Sequence, residues 1–202
     1  MFPCKPYNKV LISEKSLALR GTIAKEIYSY NNDMPSAVDA KCISKRVCQI
    51  GNTTLKVDIA GDSATITRES LDAAVQLEDC YDLRKDEIHW YGGPERKVQK
   101  WPLEKQVING SEAYVLKATD NFAVAERYWL SSEGVFIYID ETVPLFIDQN
   151  NLYPGMVCFQ SRLEGPYINR TKNVLKYTIV VNDGPKKGTP LRSQQLFRKT
   201  IR

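Results

Sequence analysis

Aromatic, amide and charged side chains are interleaved between residues 89 and 104, outside the long apolar runs of the chain. This segment holds two of the three tryptophans, Trp90 and Trp101, together with Tyr91 and several glycines, prolines and charges. Proteins hold sugar rings by stacking them on flat aromatic faces and by hydrogen-bonding the hydroxyls at the rim. The pattern therefore predicts Trp90 and Tyr91 as carbohydrate contacts. The alternative is that these rings cap the end of a hydrophobic core.

Other common site chemistries lack the residues that they need. His89 is the single histidine, and nothing in the sequence positions a serine beside it for a nucleophilic triad. One histidine and no C-x-x-C pair disfavour a zinc site, and no nucleotide-binding loop of a common kind occurs. The 24 acidic residues make some carboxylate pair inevitable, so spacing assigns no glycosidase acid and base. We expect no metal and no cofactor.

The charges are spread along the chain. The 28 basic and 24 acidic residues give a formal net charge of +4 and form no basic stripe, so we expect no nucleic-acid partner. No apolar run approaches the roughly 18 residues of a membrane span. The first residues also lack the apolar core of a signal peptide. We therefore expect no membrane segment in this chain.

The sequence contains motifs for N-glycosylation and cysteines whose pairing is open. Three N-glycosylation sequons begin at Asn52, Asn109 and Asn169, which we predict as glycan acceptors. Among the five cysteines, Cys42 and Cys48 are spaced to close a small loop. Cysteine spacing leaves disulfide pairing open, and small buried hydrophobes are the alternative for most of them.

Alternation of apolar and polar residues predicts β-structure from residue 53 onward. The runs 128–130 and 135–139 flank a glycine-containing loop, which is typical of a β-hairpin, and the second run is apolar on both sides, which predicts a strand covered on both faces. Short strands at this spacing indicate an all-β sandwich of antiparallel sheets. The other predicted strands are 55–59 with 64–67 as a hairpin, 73–77, 106–108 with 113–116 as a hairpin around Asn109 and Gly110, 156–159 and 174–181.

The two ends of the chain are harder to interpret. Leu17, Leu19, Ile23, Ala24 and Ile27 have the spacing of a helical face, although Gly21 interrupts it. We predict a poorly defined N-terminal extension with the first strands over residues 1–50. The β-sandwich domain is predicted over residues 51–185, and a basic tail or linker over residues 186–202.

Several ordered blocks resemble one glycosidase family. They are residues 79–83 (DCYDL), 89–95 (HWYGGPE), 101–105 (WPLEK), 125–135 (AERYWLSSEGV) and 144–146 (PLF). In this order they resemble the N-terminal domain of glycoside hydrolase family 31, in the animal α-galactosidase-type branch of myogenesis-regulating glycosidase. The resemblance covers about residues 53 to 183. It implies a galactose-mutarotase-like β-sandwich that precedes a (β/α)₈ barrel.

The resemblance also implies a function for the intact protein. Family 31 enzymes are retaining glycosidases whose barrel carries a nucleophilic aspartate and an acid/base aspartate. This branch resembles an α-galactosidase of the endoplasmic reticulum and Golgi lumen, with an N-terminal membrane anchor. Because the barrel would begin near Arg202 and the anchor precedes residue 1, we expect these 202 residues to be a fragment that does not hydrolyse glycosides alone.

One functional residue is carried over from the family. Its sandwiches send a loop with an Asn/Thr-Asp element to the rim of the active site, where the aspartate touches the sugar. Thr119-Asp120-Asn121 matches that element, so Asp120 is predicted to accept a sugar hydroxyl. An ordinary turn aspartate is the alternative. Two other functions remain open for the chain as a whole: a free-standing carbohydrate-binding module and a structural module without catalysis.

Overall fold

The computed structural model describes residues 8–10, 19–28, 41–44, 47–50, 52–83, 88–116 and 124–181. These residues form thirteen strands and two single-turn 3₁₀ helices, Leu103–Lys105 and Gly165–Tyr167. Neither helix is long enough to cross a membrane, and no other helix occurs in the described ranges. The strands are β1 Asn8–Val10, β2 Leu19–Tyr28, β3 Lys41–Ser44, β4 Val47–Ile50, β5 Thr53–Ala60, β6 Ser63–Ser70, β7 Val75–Asp82, β8 Trp90–Pro94, β9 Ala125–Ser131, β10 Val135–Ile139, β11 Leu145–Gln149, β12 Met156–Ser161 and β13 Asn173–Val181.

The strands form two antiparallel sheets that pack face to face. One sheet has five strands in the order β1-β2-β7-β12-β11, and the other has eight in the order β3-β4-β5-β6-β13-β10-β9-β8. Every strand pair in both sheets is antiparallel. The predicted all-β sandwich of antiparallel sheets is therefore confirmed. The predicted basic tail, residues 186–202, lies outside the described residues.

Two of the predicted hairpins are present. β5 and β6 pair from Thr53 opposite Ser70 to Ala60 opposite Ser63, around a turn in which Gly61 has a φ of +57°. A positive φ is strained for residues with a Cβ, so glycine suits this turn. β9 and β10 pair with Trp129 opposite Ile137, as the pattern around residues 128–139 predicted.

The hydrophobic core lies between the sheets and follows the alternation of the strands. In β10 the side chains of Val135, Ile137 and Ile139 are fully buried, and Trp129 of β9 packs in the same cluster. β10 was predicted to be covered on both faces. This is only partly correct, because the outward-facing Phe136 and Tyr138 are half-buried. On this outward face the Phe136 ring stacks on Tyr128 of the neighbouring strand β9, with ring centroids 5.8 Å apart.

A polar cluster crosses the core and joins the two sheets. The Arg68 guanidinium of β6 and the Asp79 carboxylate of β7 are both fully buried and approach to 3.1 Å. Tyr177 of β13 donates to the other oxygen of Asp79 at 2.8 Å, and its hydroxyl lies 2.6 Å from that of Tyr81. Burial raises the pKa of both tyrosines well above its usual value, so their hydroxyls remain protonated donors.

The helical spacing near the N-terminus gave a wrong prediction. Leu19, Ile23, Ala24 and Ile27 lie in β2, which pairs with β7 across the five-stranded sheet, and Leu17 lies outside the described residues. The strand shifts register between Thr22 and Lys25, which breaks the simple alternation. The β-branched residues Thr22, Ile23 and Ile27 also favour a strand over a helix once a pairing partner is available, and Gly21 disfavours a helix interior.

The hairpin predicted around Asn109 and Gly110 is also wrong. Its two arms do not pair with each other, because both of them bridge to β11: Ile108 lies opposite Gln149, and Ala113 lies opposite Phe146. β11 is the edge strand of the five-stranded sheet, and its free backbone groups need partners. The segment therefore covers a sheet edge, which local turn propensity could not reveal.

A disulfide joins the two central strand neighbours β7 and β12. Cys80 and Cys158 lie opposite each other in the antiparallel register, and their sulfurs are bonded. Both side chains are buried on the side of the sheet away from the sandwich core. Cys42 and Cys48 also lie opposite each other, in the register of β3 and β4.

We expect the double variant Cys80→Ala, Cys158→Ala to lose up to about 4 kcal/mol of unfolding free energy, because the bond closes a long loop in the unfolded chain. The two cysteines are separated by 78 positions. Urea denaturation followed by circular dichroism measures the loss. Alkylation of the denatured, unreduced chain should leave both thiols unmodified in mass spectra. Alkylation at both positions would show that the bond is absent.

Candidate functional site

The aromatic segment 89–104 contains the edge strand β8. β8 pairs with β9, with Trp90 opposite Ser131 and Tyr91 opposite Leu130. Successive residues of a strand point to opposite faces. Trp90 therefore enters the core and is 3% exposed, whereas Tyr91 faces outward and is 42% exposed. Trp90 was predicted either to contact a sugar or to cap the hydrophobic core. Its ring lies in the core and leaves no exposed face on which a sugar could stack.

Two glycines bend the chain at the end of β8. Gly92 has a φ of +101°, and Gly93 has a φ of +68°. A Cβ added at Gly92 would lie 2.5 Å from the backbone oxygen of Tyr128, so no larger residue fits without a shift. The register changes between Gly92 and Pro94, which turns the chain out of the sheet. This bend allows residues 95–102 to return over the outward face of β8.

Glu104 connects this returning segment to the start of β8. Its Oε2 accepts a hydrogen bond from the backbone N–H of Trp90 at 2.9 Å, and its Oε1 lies 2.9 Å from Nδ1 of His89. The neighbouring Leu103 is fully buried and fixes the 3₁₀ helix on the core. His89 also receives a hydrogen bond from Ser132 to its carbonyl oxygen at 2.7 Å. His89 is therefore a hydrogen-bonded surface residue.

Trp101 completes an exposed aromatic surface. Its ring stacks on that of Tyr91, with centroids 5.9 Å apart and an angle of 27° between the planes. Trp101 is 52% exposed, and the His89 side chain at the other end of the segment is 53% exposed. We call these three side chains, His89, Tyr91 and Trp101, the aromatic platform. The sequence pattern identified segment 89–104, which contains Trp101, but it predicted only Trp90 and Tyr91 there as sugar contacts.

The predicted sugar contact Asp120 lies outside the described residues, as do residues 117–123 in general. Both flanks of this segment are held on the sandwich. Tyr114 donates its backbone N–H to Leu145 at 2.7 Å and its hydroxyl to the carbonyl of Glu126 at 2.8 Å. On the other side, the carbonyl of Val124 accepts from the backbone N–H of Glu95 at 3.2 Å.

The three predicted glycan acceptors are all exposed. Asn52 precedes β5, and Asn169 precedes β13 by four residues, at the end of the eight-stranded sheet where Thr53, Ser70 and Asn173 are aligned. The chain leaves β13 at the opposite end, where Val181 donates to the carbonyl of Asp62. The third acceptor, Asn109, lies in the segment that covers β11.

One group of potential metal ligands occurs in the described ranges. Glu78, Cys80 and Cys158 are buried together behind the five-stranded sheet. The two sulfurs are bonded to each other and have no thiolate to offer a metal. The Glu78 carboxylate accepts a hydrogen bond from the Gln160 amide at 2.6 Å. This group is therefore interpreted as a structural cluster.

The family of the chain follows from comparison with known proteins. The family described as "Myogenesis-regulating glycosidase N-terminal domain" matches residues 46–163, which is more than half of the chain. The chain belongs to this family and is an N-terminal domain of the kind found in glycosidases like those of family 31. The resemblance stated from the sequence blocks is thus confirmed.

Individual relatives cover limited regions. The SITS-binding protein of Tetronarce californica is 31% identical over 118 residues, which are 56% of this chain and 16% of that protein. The myogenesis-regulating glycosidase of Mus musculus is 36% identical over 74 residues, which are 34% of this chain and 10% of that protein. The matched regions are thus a sixth or less of these relatives' own length.

Among solved structures, a family 31 sulfoquinovosidase from E. rectale in complex with an aza-sugar inhibitor is similar to 85% of this chain and 29% of its own chain. The TM-score is 0.46 at 15% identity.

We expect Glu104→Ala to lower the unfolding free energy by about 1–3 kcal/mol, because it leaves the backbone N–H of buried Trp90 without its carboxylate acceptor. Glu104→Gln keeps an acceptor oxygen and should lose less. Urea denaturation monitored by tryptophan fluorescence measures the effect. Glu133→Ala, at the exposed turn between β9 and β10, is the matched control and should be nearly neutral. Equal stability of the two alanine variants would contradict the assigned role.

Proposed function

We propose that this domain supports and lines the substrate pocket of a retaining α-glycosidase of the α-galactosidase type, whose catalytic barrel belongs to the same longer protein. In this role the sandwich supplies no nucleophile and no acid/base group. It holds a segment against the barrel, and Asp120 accepts a hydroxyl of the sugar in the cleaved position. The family membership of residues 46–163 supports the proposal.

The observation that carries the proposal is how the flanks of the Asp120 segment are attached. Tyr114 is hydrogen-bonded to both β11 and β9, which belong to different sheets, and it is 8% exposed. Val124 is bonded to the chain that follows β8. Flanks that are held at fixed points of the sandwich are suited to positioning a binding residue between them.

The compartment is part of the proposal. A disulfide between Cys80 and Cys158 persists in oxidising surroundings, such as the lumen of the endoplasmic reticulum or Golgi. The exposed sequons are chemically suited to the same compartment. We propose that the protein resides there and carries glycans at Asn52, Asn109 and Asn169.

The second candidate function is a carbohydrate-binding module that needs no barrel. The aromatic platform favours it, because exposed stacked rings beside an imidazole are chemically suited to a sugar. The two candidates differ in where the sugar binds: at Asp120 in the first and on the platform in the second.

We expect Asp120→Asn to lower kcat/KM for p-nitrophenyl α-galactoside by about 10- to 100-fold in the complete glycosidase, because hydrogen bonds to a charged group contribute about 1.5–3 kcal/mol. Steady-state kinetics measure the effect. Asp62→Asn, in the exposed turn between β5 and β6, is the matched control and should leave kcat/KM unchanged.

Two results would contradict the pocket-lining role. One is an Asp120→Asn enzyme with the same kcat/KM as the parent enzyme. The other is a protein that carries this domain without any barrel. If the substrate class alone is wrong, the parent enzyme hydrolyses α-glucosides or other α-glycosides faster than α-galactosides, and Asp120→Asn still lowers that activity.

For the glycans, we expect three separable mobility shifts on treatment of the secreted chain with peptide-N-glycosidase. Ser111→Ala should remove the shift that belongs to Asn109, whereas Ser111→Thr preserves the sequon and should retain it. Ser111 is exposed, so neither change disturbs the core. Mass spectrometry of the treated peptides locates the modified asparagines. An unmodified Asn52, Asn109 or Asn169 in chain that has passed through the secretory pathway would contradict the assignment at that position.

A further inference from the structure

We propose that the aromatic platform is a surface site for a neutral pyranose oligosaccharide. The site consists of the Tyr91 and Trp101 rings and the His89 imidazole, with Glu104 as a positioning residue. It rests on the second candidate function and extends it by naming the role of each residue and the ligand class. It depends neither on Asp120 nor on a barrel, so it and the pocket-lining role can fail independently.

The first argument is the exposure of two rings that contact each other. Single exposed hydrophobic residues are ordinary on protein surfaces. Tyr91 and Trp101 instead come from two segments joined by a glycine bend, and their rings meet at 5.9 Å with nearly parallel planes. An offset pair leaves part of each ring uncovered, and the exposed fractions of 42% and 52% agree with this. The result is a stepped aromatic surface on which the C–H face of a pyranose ring can stack.

The second argument is a polar group directed to the same side. The hydrogen bond from Ser132 to the His89 carbonyl extends the pairing of β8 and β9 by one residue. Residues two apart in an extended segment point to the same face, so His89 and Tyr91 project together. A ligand that stacks on Tyr91 is therefore within reach of the imidazole.

Glu104 sets the orientation and the hydrogen-bonding state of this imidazole. Its Oε1 lies 2.9 Å from Nδ1 and accepts a hydrogen bond from the Nδ1–H group. Because Nδ1 is engaged by Glu104, Nε2 is the ring nitrogen that remains for a hydrogen bond with a sugar hydroxyl, a group that can both donate and accept. The other carboxylate oxygen is bonded to the backbone of Trp90, so Glu104 itself is held in place. An aromatic face with an oriented ring nitrogen at its rim matches the apolar and polar sides of a pyranose.

The neighbouring charges do not favour a charged sugar. The Glu104 carboxylate is already engaged by His89 and Trp90. Lys97 and Lys100 are exposed on the segment before Trp101, but no described contact directs either ammonium group to the platform. The recognition elements that the structure orients are therefore apolar faces and one imidazole nitrogen that is already paired through its ring with a carboxylate, which is why the ligand is assigned as a neutral sugar.

The distribution of the three tryptophans makes the proposal testable. Trp90 is 3% exposed and Trp129 is fully buried, so Trp101 is the exposed indole of the chain. We expect titration of the ¹⁵N-labelled 202-residue chain with melibiose or maltotriose to move the Trp101 indole N–H signal in a saturable manner. The indole signals of Trp90 and Trp129 should move little. Sorbitol, which carries hydroxyls but no pyranose face, is the matched ligand control and should not produce this shift.

Variants separate binding from folding. Tyr91→Ala should weaken binding by about tenfold or more, because stacking on one ring is lost. Trp101→Leu should weaken it similarly, with the backbone amides of His89 and Tyr91 as reporters. Leu152→Ala, at an exposed position of another loop, should bind like the parent chain. Circular dichroism checks that each variant is folded.

The outcomes are decisive in both directions. Saturable shifts at the platform that require a pyranose and that both ring variants weaken would support the site. Three results would overturn it: no saturable shift with either sugar, a sorbitol effect equal to that of the sugars, or full affinity in Trp101→Leu. None of these results bears on the role of Asp120, which is tested by the kcat/KM of the complete glycosidase.

Discussion

A guanidinium and a carboxylate meet at the centre of the sandwich, where neither reaches water. Arg68 belongs to the eight-stranded sheet and Asp79 to the five-stranded sheet, so their pairing requires both sheets to be in register and in contact. Removing one partner would leave an uncompensated buried charge, at a cost of about 3–5 kcal/mol. The hydroxyls of Tyr177 and Tyr81 extend the cluster. The apolar residues around it supply the burial energy, and this cluster restricts which alignment of the sheets is acceptable.

The sheet edges explain where the candidate sites lie. β8 and β11 are the edge strands nearest to the functional segments, and exposed edges must be paired, shortened or covered. β11 is covered by the chain around Ile108 and Ala113, which then leads toward residue 117. β8 is short and ends in the bend at Gly92, which brings Trp101 back over its outward face. The same requirement therefore produces both the anchored flank of the Asp120 segment and the aromatic platform.

The candidate site shows how far local patterns reach. The segment 89–104 stood out because aromatic residues lay among turn residues and charges, and that expectation located the platform. Alternation also implies that Trp90 and Tyr91 lie on opposite faces. Which of the two is inside depends on the side from which the second sheet packs, and that is a non-local property. Trp101 lies in no strand, so its exposure depends entirely on how the glycine bend returns the chain.

What the sequence by itself determined is the class of fold and the strands with strong period-two alternation, such as β5, β6, β10 and β13. Those strands bury one face, so apolar and polar residues alternate along the sequence and predict which side chains are buried. The ordered blocks between residues 79 and 146 also determined the family. Tertiary structure alone decided that β2 is a strand and that Asn109 and Gly110 do not close a hairpin. It also decided the Cys80–Cys158 bond. In each case the deciding partner lies far away in sequence, and the free energy of pairing with it exceeds the local preference.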